Sequence, residues 1–507
     1  MSNDLVVLAI TLAPWAAALV ATLARVVQLS PGAGARAAAA VTGVGFVAAL
    51  AATSPVIETG ALGVGIGATT LRVDAVALVL SLLVLGLSGL IQTFAVRYLR
   101  GDPRQVWFVV STNLLTGFTV LMVCAGSVAV FAVGWVGAGG ALLLLLATYW
   151  HLAQARDGVR RTAIRLLIAD AAFLIAVVGL LVTARGDVSF GQLGELTAAL
   201  PLGIQLIMAA ILVVAALARS SQIPFQGWLP FTLAAPTPVS ALMHAGVVNA
   251  GAILLLRFAP AIAVHQSVMI AVFLAGAATL VYASAVRLVR SDVKGRLVFS
   301  TMAQMGFMIM ACGLGLFAAA IFHLVAHSLF KSALFLGAGT AVRRHAVERD
   351  LPPRTRHSGV TVAAALTISV GVAVLALVAA KLVFSPAVTP ASAGLLAFVA
   401  LTASVGLAAA LTTQFSAQMV AGGAIVTLGL IVSYVWFLHA FTAYVNIPTI
   451  VTPAPAWLLI LPGVGLLAVQ LLARNPRVAA QLRDRVYARA VASASGSRFV
   501  TTRGVFR

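Results

Sequence analysis

The sequence predicts an all-α polytopic membrane protein of about fourteen to fifteen transmembrane helices. Three observations carry the prediction. The 507 residues are 62% hydrophobic and 9% charged, with mean hydropathy +1.10, whereas soluble domains carry about 25% charged residues. Apolar runs of about 20 residues, the length that crosses about 30 Å of hydrocarbon, recur from end to end. The runs are nearly continuous and lack the alternation of a membrane barrel. Helices, which satisfy their own backbone hydrogen bonds, are then the element that fits.

The runs fall near 5–27, 37–56, 73–97, 106–124, 126–149, 162–184, 203–220, 236–258, 266–289, 296–316, 318–341, 360–385, 391–413, 417–444 and 455–473. An acidic residue, Asp4, and no basic one precedes the first run, which is long enough to span. It reads as a first transmembrane helix rather than a cleaved leader. Basic residues follow the odd-numbered runs: Arg97, Arg100 and Arg104, then Arg156, Arg160 and Arg161, then Arg287, Arg290, Lys294 and Arg296, then the cluster from Arg343 to Arg356. The opposite loops hold little beyond Arg72, Arg185 and Arg257. The positive-inside rule then predicts an external N-terminus and a cytoplasmic arginine-rich tail at 474–507. The net charge of +20 is a topology signal and not a nucleic-acid footprint, because it sits in short clusters between apolar runs. The tail itself suits either an amphipathic helix on anionic lipid or a basic strand docking on a soluble partner.

Ionisable groups inside hydrocarbon cost several kcal/mol unless paired or hydrated, so each is a functional candidate. Only three of the thirty-two Lys and Arg residues are lysine: Lys294, Lys331 and Lys381. The last two lie in apolar runs. A buried lysine can lose its proton near neutral pH and a guanidinium cannot, so Lys331 and Lys381 stand where a reversible carrier is needed, unless they snorkel or neutralise a carboxylate. The run IFHLVAHSLFKSALFLG places His323, His327 and Lys331 at i, i+4 and i+8. That spacing stacks three titratable groups on one helical face over about 12 Å, a ladder able to pass protons through intervening water.

A second group lies in ARSSQIPFQGWLPFTLAAPTPVSALMHAGVVNAG. Arg219 ends one run, Pro224 and Pro230 interrupt the chain, and Pro236 and Pro238 open the next helix, which carries His244 and Asn249. Proline removes a backbone donor, and a broken helix at membrane depth is tolerated only in protein or beside a hydrated cavity. Asp170 is the one carboxylate clearly within a run, and Arg165 is its nearest charged neighbour, a pair that can be structural alone. Asp74, at the start of its run, suits an N-terminal cap. Cys124 and Cys312 are far apart within apolar runs and imply no disulfide or metal site. There is no GxxxxGK[ST] loop, no GxGxxG after a strand and no CxxC cluster, so no cofactor is expected and the energy source is an ion gradient or a partner.

Taken together, SSQIPFQGWLP, PTPVSALMHAG, GRLVFSTMAQMGFM and FHLVAHSLFKSALFLGAG resemble the antiporter-like family of complex I membrane subunits and Mrp-type sodium/proton antiporters. The resemblance is clear over about residues 70–385 and implies two inverted five-helix repeats, each with a broken helix, joined by a hydrated polar axis. It divides the chain into N-terminal helices (1–105), a first repeat (106–258), a second repeat (259–413), C-terminal helices (414–473) and the basic tail (474–507). Where pumping members carry a glutamate after Gly-Trp, this chain has Val136 after Gly134 and Trp135, and where they carry a lysine before the seventh-helix break it has Arg219. Lys381 is the counterpart of the family's twelfth-helix lysine. Within the family the chain looks most like the membrane subunit of DAB-type inorganic carbon transporters. That likeness implies a proton or Na+ flux that drives a cytoplasmic zinc-binding partner resembling carbonic anhydrase. The other readings are a complex I or hydrogenase-type pump subunit, an Mrp-type antiporter and, from a different class, a membrane scaffold with no ion path.

Overall fold

The structure, a computed structural model, describes residues 3–66, 69–290, 292–339, 359–384, 389–412, 416–447, 452–474 and 484. The cluster Arg343–Arg356 and the tail beyond Arg474, apart from Asp484, lie outside the described residues. The helices are α1 (Asn3–Val26), α2 (Pro31–Ala51), α3 (Thr53–Thr59), α4 (Ala75–Tyr98), α5 (Gln105–Val123), α6 (Val128–Leu146), α7 (Ala153–Ala184), α8 (Leu193–Ala198), α9 (Leu202–Arg219), α10 (Thr237–Ala245), α11 (Ala250–Arg257), α12 (Ala259–Ile262), α13 (Gln266–Val289), α14 (Val293–Gly313), α15 (Phe317–Leu336), α16 (Gly359–Phe384), α17 (Pro390–Leu411), α18 (Ala417–Val445) and α19 (Ile460–Arg474).

Each of the fifteen apolar runs holds helix, and thirteen helical stretches among the described residues are long and apolar enough to cross a membrane. The two outside that set are α14 and α19. The first half of α14 is polar, with Lys294, Arg296, Ser300 and Gln304. α19 has 15 residues, about 22 Å at 1.5 Å per residue. Helix starts follow local capping chemistry: the Asp74 carboxylate accepts from the Ala77 N–H at 2.8 Å and Asp292 from Gly295 at 2.6 Å.

One element departs from the all-helical expectation. Ala61–Ile66 (β1) and Thr69–Asp74 (β2) form an antiparallel ribbon between the second and third apolar runs, the third of which begins within β2 at Val73. The segment ALGVGI alternates glycine with larger residues and TTLRVD is rich in β-branched ones, which favours an extended chain over a helix. Leu62, Leu71 and Val73 turn inward and are buried.

Small residues let the helices approach. A Cβ on Gly276 of α13 would stand 2.6 Å from the Gly306 carbonyl of α14, so these backbones touch because both positions are glycine. Polar side chains tie the N-terminal bundle: Asn113 of α5 exchanges hydrogen bonds with Gln92 of α4 at 2.9 and 3.1 Å and accepts from Thr42 of α2 at 2.8 Å. In hydrocarbon such bonds hold helices because no water competes for them.

Two interruptions position the site. α9 stops at Arg219, and irregular backbone containing Ser221 at φ +54° and Pro224 leads to a short 3-10 turn, Leu229–Ala234, with Pro230 in its first turn. Pro236 caps α10 and Pro238 sits in its first turn, where a missing N–H costs nothing. The second interruption differs from the single helix expected over 236–258. α10 ends at Ala245, Gly246 adopts φ −120° and ψ −70°, and a 3-10 turn, Val247–Asn249, precedes α11. His244 and Asn249 thus flank a break instead of lying inside one helix.

Candidate functional site

At the C-terminal end of α9 the Arg219 side chain is 1% exposed. It donates from Nη2 to the Trp135 carbonyl of α6, and its Cζ lies 4.3 Å from the centroid of the Trp135 ring. The space for it exists because α6 carries Gly139, where a Cβ would come 2.4 Å from Arg219 Nη1. The counter-charge is Asp170 of α7, with Oδ1 3.1 Å from Nη2. This corrects the expectation that Arg165 is the neighbour of Asp170. Five residues along a helix turn about 140°, so 165 and 170 face different ways, whereas α7 packs directly on α9. Val136 stands on the outer face of α6, 37% exposed.

From Arg219 a polar chain runs across the molecule. Ser220 Oγ donates to the Val248 carbonyl at 2.7 Å, bridging the two interruptions. Asn249 Nδ2 donates to Ser328 Oγ of α15 at 3.0 Å, and both Asn249 and Ser328 donate to the Ala245 carbonyl freed at the Gly246 break, at 2.7 and 2.6 Å. One turn beyond Ser328 on α15, Lys331 Nζ donates to Ser300 Oγ of α14 at 2.8 Å. His244 stacks on Phe335 of α15 with centroids 4.6 Å apart, and His323 and His327 stack at 6.1 Å. The broken backbone therefore meets α15 along the face that carries the titratable ladder.

Burial is deep: His244, Asn249, His327 and Lys331 are 0%, 1%, 5% and 1% exposed, and His323 is half-buried. Among the described residues both ring nitrogens of His244 and His327, His323 Nε2, Asn249 Oδ1 and Arg219 Nε and Nη1 have no hydrogen-bond partner in the protein. Buried polar atoms of this kind are costly unless water satisfies them, and a file of such atoms is what a hydrated proton route requires.

Pro224 lies in the irregular stretch after α9 and Pro230 in the 3-10 turn that follows it. Lys381 does not join the axis; it is in the last turn of α16 and exposed, where a lysine at a helix end snorkels toward the interface. Sequence reasoning missed three hydroxyls, Ser220, Ser300 and Ser328, and one cation. Lys294, read there only as a topology charge, donates to the Leu233 and Ala235 carbonyls at 3.3 and 2.9 Å, closing the backbone groups freed ahead of α10. Ser328 was findable, since it lies one turn from Lys331 on the same face.

A multi-pass helical bundle with interrupted helices and a buried titratable axis defines the class of antiporter-like membrane subunits. The chain belongs to the NADH:quinone oxidoreductase/Mrp antiporter transmembrane family, whose model matches residues 125–379. The N-terminal model of NADH-ubiquinone oxidoreductase (complex I) chain 5 matches residues 66–109. A probable inorganic carbon transporter subunit, DabB1 of Halothiobacillus neapolitanus, is 36% identical over 295 residues, 57% of this chain and 53% of that one. NADH-quinone oxidoreductase subunit L of Mycobacterium tuberculosis is 33% identical over 331 residues, 64% of this chain and 50% of that one. The chain spans about half the length of these curated relatives. In fold it is similar to the Mrp complex from Dietzia sp. DQ12-45-1b, with TM-score 0.60 and 24% identity over 97% of this chain and 52% of that one.

Proposed function

We propose that the protein conducts protons through the bilayer as the membrane subunit of an inorganic carbon uptake complex in the bacterial inner membrane, and that the cation gradient drives a cytoplasmic zinc-binding partner related to carbonic anhydrase. The observation that carries the conduction is the succession of buried polar contacts Asp170–Arg219, Ser220–Val248 carbonyl, Asn249–Ser328 and Lys331–Ser300 across the bundle, which water must link. Its two ends differ in chemistry. Arg219 keeps its proton near neutral pH and is clamped by Asp170, so the first half acts as a fixed charge. His323, His327 and Lys331 accept and release protons, so the exchange takes place in the second half. A conducted Na+ would need several oxygen ligands at one point, whereas the α15 face carries two imidazoles and an ammonium group, which suit a proton.

The identity to an inorganic carbon transporter subunit supports this choice of complex. A second reading, a proton-pumping subunit of an NADH-quinone oxidoreductase, draws on the identity to subunit L. Affinity purification from native membranes separates the two. The first reading expects a soluble zinc protein to co-purify and CO2-dependent growth when this chain is deleted. Co-purification of quinone reductase subunits instead would replace it with the second, and reconstituted protein with no proton flux at all would sink both.

A further inference from the structure

A cavity of about 840 Å³ opens at the ribbon end of the bundle. Its walls are helix termini that lie on one side: α4 and α15 begin here, and α11 and α18 end here. Phe317, the first residue of α15, lines it. His323 follows six residues later, about 9 Å along the helix, so the first imidazole of the ladder stands less than two turns from the cavity. At about 30 Å³ per water the chamber holds many molecules.

Two lining residues, Asp74 and Arg257, form a bidentate ion pair, with Nη1···Oδ2 at 2.6 Å and Nη2···Oδ1 at 3.0 Å. Their side chains are 25% and 14% exposed. Asp74 also caps α4, and Arg257 Nη2 also donates to the Val123 carbonyl at the end of α5 at 3.2 Å. Arg257 ends α11, the eight-residue segment that the Gly246 break separates from His244 and α10. The pair thus fastens a half-helix that its own backbone does not hold to α10.

We infer that this cavity is the chamber through which the histidine ladder reaches solvent on the ribbon side of the membrane, and that the Asp74–Arg257 pair is the fastening that must part for the chamber to open toward α15. The inference rests on the proposed proton conduction and adds to it the route on one side. Parting two charges that share two hydrogen bonds in a low-dielectric mouth is unfavourable, so the passage from the chamber to His323 is closed at rest. Movement of α11 beyond Asn249 opens it while the Asn249–Ser328 bond and the His244–Phe335 stack stay in place.

The test uses the full chain with Cys124→Ser and Cys312→Ser, both native cysteines being buried, reconstituted in vesicles with a proton-sensitive dye. Ala443→Cys and Val264→Cys place single thiols in the chamber, and Ala199→Cys places one on the exposed loop between α8 and α9. A membrane-impermeant trimethylammonium thiosulfonate is added from the ribbon side and modification is confirmed by mass. Modification at 443 and 264 should reduce flux to that of protein-free vesicles, and modification at 199 should leave it unchanged. Full flux through protein modified at both chamber positions overturns the chamber. Asp74→Asn should raise resting flux, and the exchange Asp74→Arg with Arg257→Asp should return it to the parent value. Unchanged flux in Asp74→Asn overturns the fastening. A parent protein that carries no flux overturns the conduction reading itself, a result separate from either of these.

Discussion

Lys331 is buried, shares its helix face with two histidines, and among the described residues has a serine hydroxyl as its hydrogen-bond partner. Lys331→Met removes the proton-carrying group while keeping an apolar side chain of similar length, so insertion should be normal and dye-reported proton flux should fall to background. Full flux in that variant is the outcome that rejects a second-half route. Arg219 behaves differently because its charge is fixed and paired. Arg219→Met leaves Asp170 partly buried without a counter-charge, which costs about 3–5 kcal/mol by analogy with broken buried pairs. It should lower the melting temperature in detergent, and Asp170→Leu added to it should restore most of the loss. Arg219→Lys should be milder, since the positive charge survives while the stacking on Trp135 is lost.

At the level of helices, the contact between α13 and α14 and the break between α10 and α11 carry most of the site's geometry. Gly306→Val places a side chain against the backbone of α13, where even a Cβ would lie 2.7 Å from the Gly276 carbonyl. Overpacking of this kind costs about 1–3 kcal/mol, and α14 carries Ser300, so thermal stability and flux should both decline. Should the variant melt with the parent protein, the close approach of these helices is not what holds Ser300 in place. Asn249→Leu keeps volume but removes the link from the broken span to Ser328. It should cut flux with little change in melting temperature, measured on the same reconstituted preparation.

Across the whole molecule, the side assignments follow from where the arginines lie. A reporter fused after Arg507 should be cytoplasmic and one in the loop near Asp187 external. The reverse pattern would turn the chamber to the cytoplasmic face and undo the positive-inside argument. How much of this was legible before any coordinates follows from what kind of signal each feature leaves. All fifteen apolar runs are helical because a bilayer leaves the backbone no other economical way to pair its N–H and C=O groups, and that is a local constraint. The face shared by His323, His327 and Lys331 was readable for the same reason, since helical periodicity alone puts i, i+4 and i+8 together. Asp170–Arg219 and Asp74–Arg257 are another matter. The second pair is 183 residues apart in the chain, and which guanidinium meets which carboxylate depends on how α7 lies on α9 and how the ribbon meets α11. The Gly246 break and the exposed position of Lys381 were likewise settled by packing. A glycine permits a break without requiring one, and a lysine in an apolar run enters the interior only if neighbouring helices cover that face. Composition and periodicity therefore determined the membrane environment, the helices and the ladder, because each follows from transfer energy and backbone geometry within a single segment. The partners of the charges, the course of the polar axis and the chamber belong to the folded molecule, because they are distances between segments that only the packing of many helices at once can set.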